Sequence, residues 1–297
     1  MKKLSVLVLA LIFTTMMTAA CGGVGGKQNV SSASGFDTGK NITILAREDG
    51  SGTKSAFMEM IGLKGKADPA NVIIQTGTAG VLAEVKSNAA AIAYESLGYV
   101  DGEVKILKVD GVEATPDNIK NGAYKISRPL SVVYKESTLG EDISGAFFTF
   151  LQSAGAQEII KKGYVVIPDN APEYKIDGSL SGSIDISGST SLQPLMIELA
   201  SAFEVLQPNV KINVSGGGSG TGYKNAEEGV SQFGMISEEF NAEKAPSCTD
   251  YAVCKDGVAV IVNKANPLES ITLEQLKGIY DAEAEPGAAH KWSTIIK

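Results

Sequence analysis

The chain has 297 residues, 43% of them hydrophobic and 20% charged, which suits one large or two ordinary domains with sizeable cores and excludes a disordered protein. Its 26 basic against 34 acidic side chains leave a net charge of −8 and exclude the basic footprint of a nucleic-acid binder. A single histidine, His290, on a polar stretch and read as a solvated surface residue, argues against histidine-rich zinc sites and leaves most hydrolase mechanisms short of a base.

Lys2 and Lys3, an apolar run over 4–13 and small residues up to Cys21 predict an export signal over residues 1–20. The run is too short for the roughly 20 residues that span a bilayer. Thr18-Ala19-Ala20-Cys21 resembles a bacterial lipobox, with Thr18 where Leu is usual. Cys21 is therefore the expected lipidation site, and 21–40, rich in Gly, Ser, Asn and Lys, the leash of a membrane-anchored chain. Ordinary secretion with an unmodified cysteine is the alternative.

From residue 41 onward, short β-branched runs predict strands over 42–45, 72–74, 91–94, 104–107, 130–134, 165–167, 184–187, 210–214, 233–236 and 258–262. Many are apolar on both faces, as strands covered by helices are. Ala56, Phe57, Met60 and Ile61 recur at helical spacing, as do Leu192, Leu195, Met196, Leu199, Ala200 and Phe203. Thr272 and Gln275 form a capping box ahead of Leu276 and Ile279. The alternation predicts an α/β fold with largely parallel sheets in two facing domains. Cys248 and Cys254, six positions apart, are a candidate disulfide in an oxidising compartment, with free thiols as the alternative.

Three strand-to-helix junctions carry the chemistry: Arg47-Glu48-Asp49-Gly50-Ser51-Gly52-Thr53, Ser187-Gly188-Ser189-Thr190-Ser191, and Gly216-Gly217-Gly218-Ser219-Gly220-Thr221-Gly222. Each presents free N–H groups and the positive end of a helix dipole, a site for anions. One such loop is most simply an N-cap with a glycine turn. Three of them on an acidic chain fit a tetrahedral oxyanion, which needs donors from several directions. Arg47 brings the only guanidinium in these loops, and Asp49 is expected to hold it. Nucleotide motifs do not fit, since Tyr223 follows Gly222 where a P-loop needs Lys.

These segments resemble the extracytoplasmic phosphate-binding protein of bacterial phosphate ABC transporters. The similarity extends to Ala89-Ala90-Ala91-Ile92-Ala93-Tyr94 and Ile126-Ser127-Arg128-Pro129-Leu130, and so to nearly all of 41–297. The resemblance implies a two-lobed periplasmic-binding-protein-like α/β fold with a hinge and an inter-domain ligand cleft. By position it implies phosphate binding by Arg47, Ser51, Gly52, Thr53, Thr190, Ser191, Ser219 and Ser237, supported by Asp49. Some family members carry at the last position an aspartate that accepts the ligand's proton. Here it is Ser237, and Glu238 is a weak substitute because a one-residue shift reverses strand facing.

In the family the arginine loop comes last, whereas here it comes first. The chain is therefore read as circularly permuted, with 292–297 resembling what the family runs directly into 41–45, and the two ends are expected to lie close together. One lobe is expected to be 41–125 with 265–297, and the other 126–264. The function implied is capture of inorganic phosphate outside the cell membrane and delivery to an ABC-type permease, by a monomer without cofactor, metal or catalysis. A receptor for sulfate or molybdate, an exported phosphatase with Ser51 or Ser219 as nucleophile, and a dimer exchanging halves are the competing readings.

Overall fold

A computed structural model describes residues 35–140, 142–167, 170–175, 179–284 and 290–296. The expected signal, Cys21 and most of the leash lie outside the described residues. The first elements are β1 (Thr43–Arg47), α1 (Gly52–Met60), β2 (Ile73–Gln75), α2 (Gly77–Ser87), β3 (Ala91–Ser96), β4 (Lys105–Ile106), β5 (Lys108–Val109) and α3 (Pro116–Lys120). Next come β6 (Ser127–Tyr134), α4 (Asp142–Leu151), α5 (Ala154–Ile160), β7 (Val165–Val166), β8 (Ser181–Gly188), α6 (Gln193–Leu206), β9 (Asn209–Ser215), α7 (Ser219–Glu228) and β10 (Phe233–Ile236). The last are β11 (Thr249–Val262), β12 (Ser270–Ile271), α8 (Leu273–Tyr280) and α9 (Trp292–Ile295).

The main sheet runs β2-β1-β3-β11-β6-β10-β8-β9, with β4 and β7 also against β11, while β12 and β5 make a separate pair. It is mixed rather than largely parallel. Pairs β1–β2, β1–β3, β8–β9 and β8–β10 are parallel, as strand-helix-strand units dictate. β11 runs antiparallel to both its neighbours because it carries the chain from one half of the sheet to the other. Its residues 249–257 lie opposite 134–127 of β6, and 258–262 lie opposite 96–92 of β3.

Each half has its own core. One gathers Ile44, Phe57, Tyr94, Val260, Tyr280 and Trp292; the other gathers Leu130, Phe147, Ile186, Leu199, Phe203 and Met235. Burying each such side chain stabilises the fold by about 1.5–3 kcal/mol. The apolar stripe of α6 is the one its spacing predicts: Leu195, Met196, Leu199, Ala200 and Phe203 are all buried. The capping box of α8 forms in full, Gln275 N donating to Thr272 Oγ1 at 3.0 Å and Thr272 N to Gln275 Oε1 at 2.9 Å.

Two expectations are corrected here. Cys248 and Cys254 are both free. Cys254 sits inside β11, so nearly all the chain between the two is extended. At about 3.3 Å per residue that separates them far beyond the roughly 7 Å a disulfide tolerates. His290 is half-buried rather than solvated, with its carbonyl accepting from Ile42 N at 2.7 Å. That bond belongs to a set that ties the beginning of the described chain to its end. Trp292 N donates to Lys40 O at 3.1 Å and Ser293 N to Thr38 O at 2.7 Å.

Candidate anion-binding site

The three loops leave the sheet at β1, β8 and β9 and enter α1, α6 and α7. Ser51 caps α1, its Oγ accepting from Lys54 N at 3.3 Å. In the second loop Ser189 Oγ accepts from Ser191 N and Leu192 N, both at 3.2 Å. In the third, Gly217 and Gly218 have φ of 137° and 84°, a turn that places Ser219 at the first position of α7.

Every pair of loops is joined. Arg47 Nη2 donates to Thr190 Oγ1 at 2.9 Å, and the hydroxyls of Thr53 and Ser191 are 2.8 Å apart. Gly220 N donates to Gly50 O at 3.0 Å, and Gly218 N to Gly188 O at 2.9 Å. Ser237, at the end of β10, donates its N–H to Ser219 Oγ at 3.0 Å, with the two hydroxyls 3.3 Å apart. Arg47, Ser51, Gly52, Thr53, Thr190, Ser191, Ser219 and Ser237 thus meet in one region, and all but the half-buried Thr190 are buried. Asp49 does not join them.

Arg47 is 1% exposed, and its guanidinium makes five hydrogen bonds. Glu48 takes two of them, at 2.9 and 3.0 Å, in a fork. Glu95 takes one at 2.7 Å, and Thr78 and Thr190 accept the others at 3.3 and 2.9 Å. Burial disfavours the guanidinium charge, but Glu95 and Glu48 outweigh it and hold the group above its ordinary range. Burial likewise works against the Glu48 carboxylate, yet Arg47 brings it below the usual range. Asp49, expected to hold Arg47, is fully exposed and bonds Lys54 Nζ at 2.9 Å. Glu48 is the acidic neighbour that turns toward the guanidinium. Glu238 is also turned away from the hydroxyls, pairing with Lys244 at 2.7 Å.

Several members of the site escaped the sequence reading. Glu95 is the penultimate residue of the apolar strand β3, and only its complete burial distinguishes it from an ordinary carboxylate near a strand end. Gly77 and Thr78 open α2, and Gly77 N donates to Glu48 Oε2 at 3.2 Å. Here a signal existed: Thr76-Gly77-Thr78-Ala79-Gly80 repeats the strand, small-residue loop and helix pattern of the other three. Tyr94 props the arginine loop, its hydroxyl accepting from Arg47 N at 3.3 Å and its ring stacked 3.9 Å from Phe57. Beside Ser51 and Gly220 a cleft of about 390 Å³ opens outward, rimmed by Lys54, Lys64, Lys66 and Lys244. Each of these lysines has a carboxylate partner, so the rim is not a free cationic patch.

Two half-sheets linked by a shared strand, with loops from both meeting on one group of hydroxyls and amides, define a two-lobed solute-binding protein. The model of the PBP superfamily domain matches residues 2–154 and 175–294. Phosphate-binding protein PstS 2 of Streptococcus pneumoniae serotype 4 is 33% identical over 286 residues, covering 91% of this chain and 97% of the relative. PstS 2 of Streptococcus agalactiae serotype V is 33% identical over 306 residues, covering all of both chains. The crystal structure of a phosphate-binding protein of a phosphate ABC transporter from Streptococcus pneumoniae superposes with a TM-score of 0.68. It is 32% identical and covers 86% of this chain and 99% of that one. The chain belongs to the PstS family within the PBP superfamily.

Proposed function

We propose that this protein is an extracytoplasmic receptor that binds inorganic phosphate and delivers it to the permease of an ABC transporter. The observation that carries the reading is the meeting of three helix-entry loops from both half-sheets on one set of buried donors. The names of the relatives support it. The arrangement also explains how an acidic chain attracts an anion. Ser51, Thr190 and Ser219 each accept a bond from a protein N–H, so each O–H can donate, to a ligand or, for Thr190 and Ser219, to the neighbouring hydroxyls of Thr78 and Ser237. Arg47 acts through Thr190: by donating to that oxygen it polarises the hydroxyl toward the ligand. Charge-assisted bonds contribute about 1.5–3 kcal/mol each, and a micromolar site needs about 8 kcal/mol net.

In this reading the lobe of 41–125 with 265–297 brings the arginine loop and the lobe of 126–264 the other two. The two lobes hinge along β11, whose residues 258–262 hydrogen-bond into the first lobe's sheet. The loops meet within one chain, which supports a monomer. The bonds that join 38–42 to 290–293 support the circular permutation. Lipidation at Cys21 would hold the protein at the outer face of the membrane, beside its permease.

Calorimetric titration of the purified chain with phosphate, sulfate and molybdate tests the reading. Phosphate is expected to bind at micromolar or lower Kd, and a chain that prefers sulfate or molybdate would be a receptor for those ions instead. Because Ser237 offers no fixed acceptor for the ligand's proton, Ser237→Asp is expected to raise the ratio of phosphate to sulfate affinity. An unchanged ratio would remove Ser237 from the site.

A further inference from the structure

A buried pair of opposite charges lies where the half-sheets join. Arg128 on β6 and Asp256 on β11 stand opposite each other, 2% and 1% exposed, just before β11 leaves β6 for β3. Their own contact is long, Nη2 to Oδ2 at 3.4 Å. The shorter bond of Arg128 runs from Nη1 to the carbonyl of Ser237, at 2.8 Å. The backbone of Ser237 is therefore held on both sides of its Cα, its carbonyl by Arg128 and its N–H by Ser219 Oγ. Asp256 also accepts from Gly98 N at 3.4 Å, so the pair touches both half-sheets. A buried ion pair gives little net stability over apolar side chains of the same volume, so a guanidinium kept here invites a positional explanation. Its charge is also felt at the site. Burial disfavours it, and with Arg47 opposing it brings the guanidinium below its ordinary range, even though Asp256 and Glu95 favour the charge.

We infer that Arg128 is a positioning residue for the anion site: its guanidinium fixes the Ser237 backbone, and through it the Ser219 hydroxyl, and lends the site a second positive charge that Asp256 partly offsets. This rests on the phosphate reading above. Titration of the full chain with inorganic phosphate tests it in three variants. Asp256→Asn keeps the side-chain shape and removes the offsetting charge, so phosphate is expected to bind about threefold tighter. Arg128→Met is expected to weaken binding about tenfold or more, and Arg128→Lys, which keeps a charge and a donor, to recover most of that loss. If Arg128→Met fails to fold, the other two variants decide. Unchanged or weaker binding by Asp256→Asn, or a lysine variant that binds no better than the methionine variant, would make the pair merely structural and overturn the inference. A wild-type chain that binds no phosphate would overturn the function proposed above, which is a distinguishable result.

Discussion

Replacing Arg47 with alanine is expected to lower phosphate affinity at least tenfold and to lower the melting temperature. The two effects have separate causes. In the phosphate reading the affinity loss follows from Thr190, whose oxygen accepts from Arg47 Nη2 at 2.9 Å. Without the guanidinium the hydroxyl loses its charged donor and keeps only Thr78 Oγ1, 3.4 Å away, and the positive charge beside it is gone. The stability loss follows from Glu95, which is fully buried and bonded to Arg47 at 2.7 Å. Leaving a buried carboxylate without its counter-charge costs about 3–5 kcal/mol. Calorimetry well below the melting transition separates the effects, and native affinity in the folded variant would contradict the role given to Arg47. Arg47→Lys keeps the charge but not the fork that engages Glu48, and is expected to fall between the two.

Gly52→Ala is expected to abolish tight phosphate binding while leaving the fold intact. Gly52 is the first residue of α1, and its φ is not positive, so alanine suits the helix by about 1 kcal/mol. The methyl group, however, would collide with Ser219 Oγ and lie 2.9 Å from both Ser219 Cβ and Ser237 Oγ. It is a wedge between the arginine loop and the glycine-rich loop. Overpacking of this kind costs about 1–3 kcal/mol, offset in part by the helix gain, and it is concentrated where the two loops meet. A thermal melt at or somewhat below the wild-type temperature together with affinity reduced at least tenfold is the expected pair of results. Native affinity would mean that Gly52 and Ser219 do not need to approach this closely.

The parts of this molecule that could be read from the sequence are those whose pattern is local. A strand, a run of small residues and a helix identify a loop regardless of what lies opposite, so Arg47, Thr190 and Ser219 stand out in the chain. The stripe of α6 and the capping box of α8 are local in the same sense. What could not be read depends on residues distant in sequence. Glu95 lies 48 positions from Arg47, and nothing near it signals that its carboxylate will meet a guanidinium. The choice between Glu48 and Asp49 turns on which faces Arg47 and which faces Lys54, and two adjacent acidic residues do not reveal it.

The long β11 was visible only as 258–262, because Lys255, Asp256 and Gly257 break its apolar run. Asp256 is tolerated inside a strand because Arg128 and Gly98 N meet it there. The polar interruption that hid the strand marks the crossing between the half-sheets. The mixed direction of the sheet follows from the same crossing. The cysteines show the converse error: a spacing of six suits a small loop, but Cys254 lies in extended chain.

The claim on which all of this rests is that loops from both lobes surround one anion. A crystal structure of the protein grown with phosphate tests it most directly. The expected result is a single tetrahedral ion within hydrogen-bond distance of Ser51 or Thr53, of Thr190 or Ser191, and of Ser219. An ion held by one lobe alone, or bound away from these hydroxyls, would contradict it.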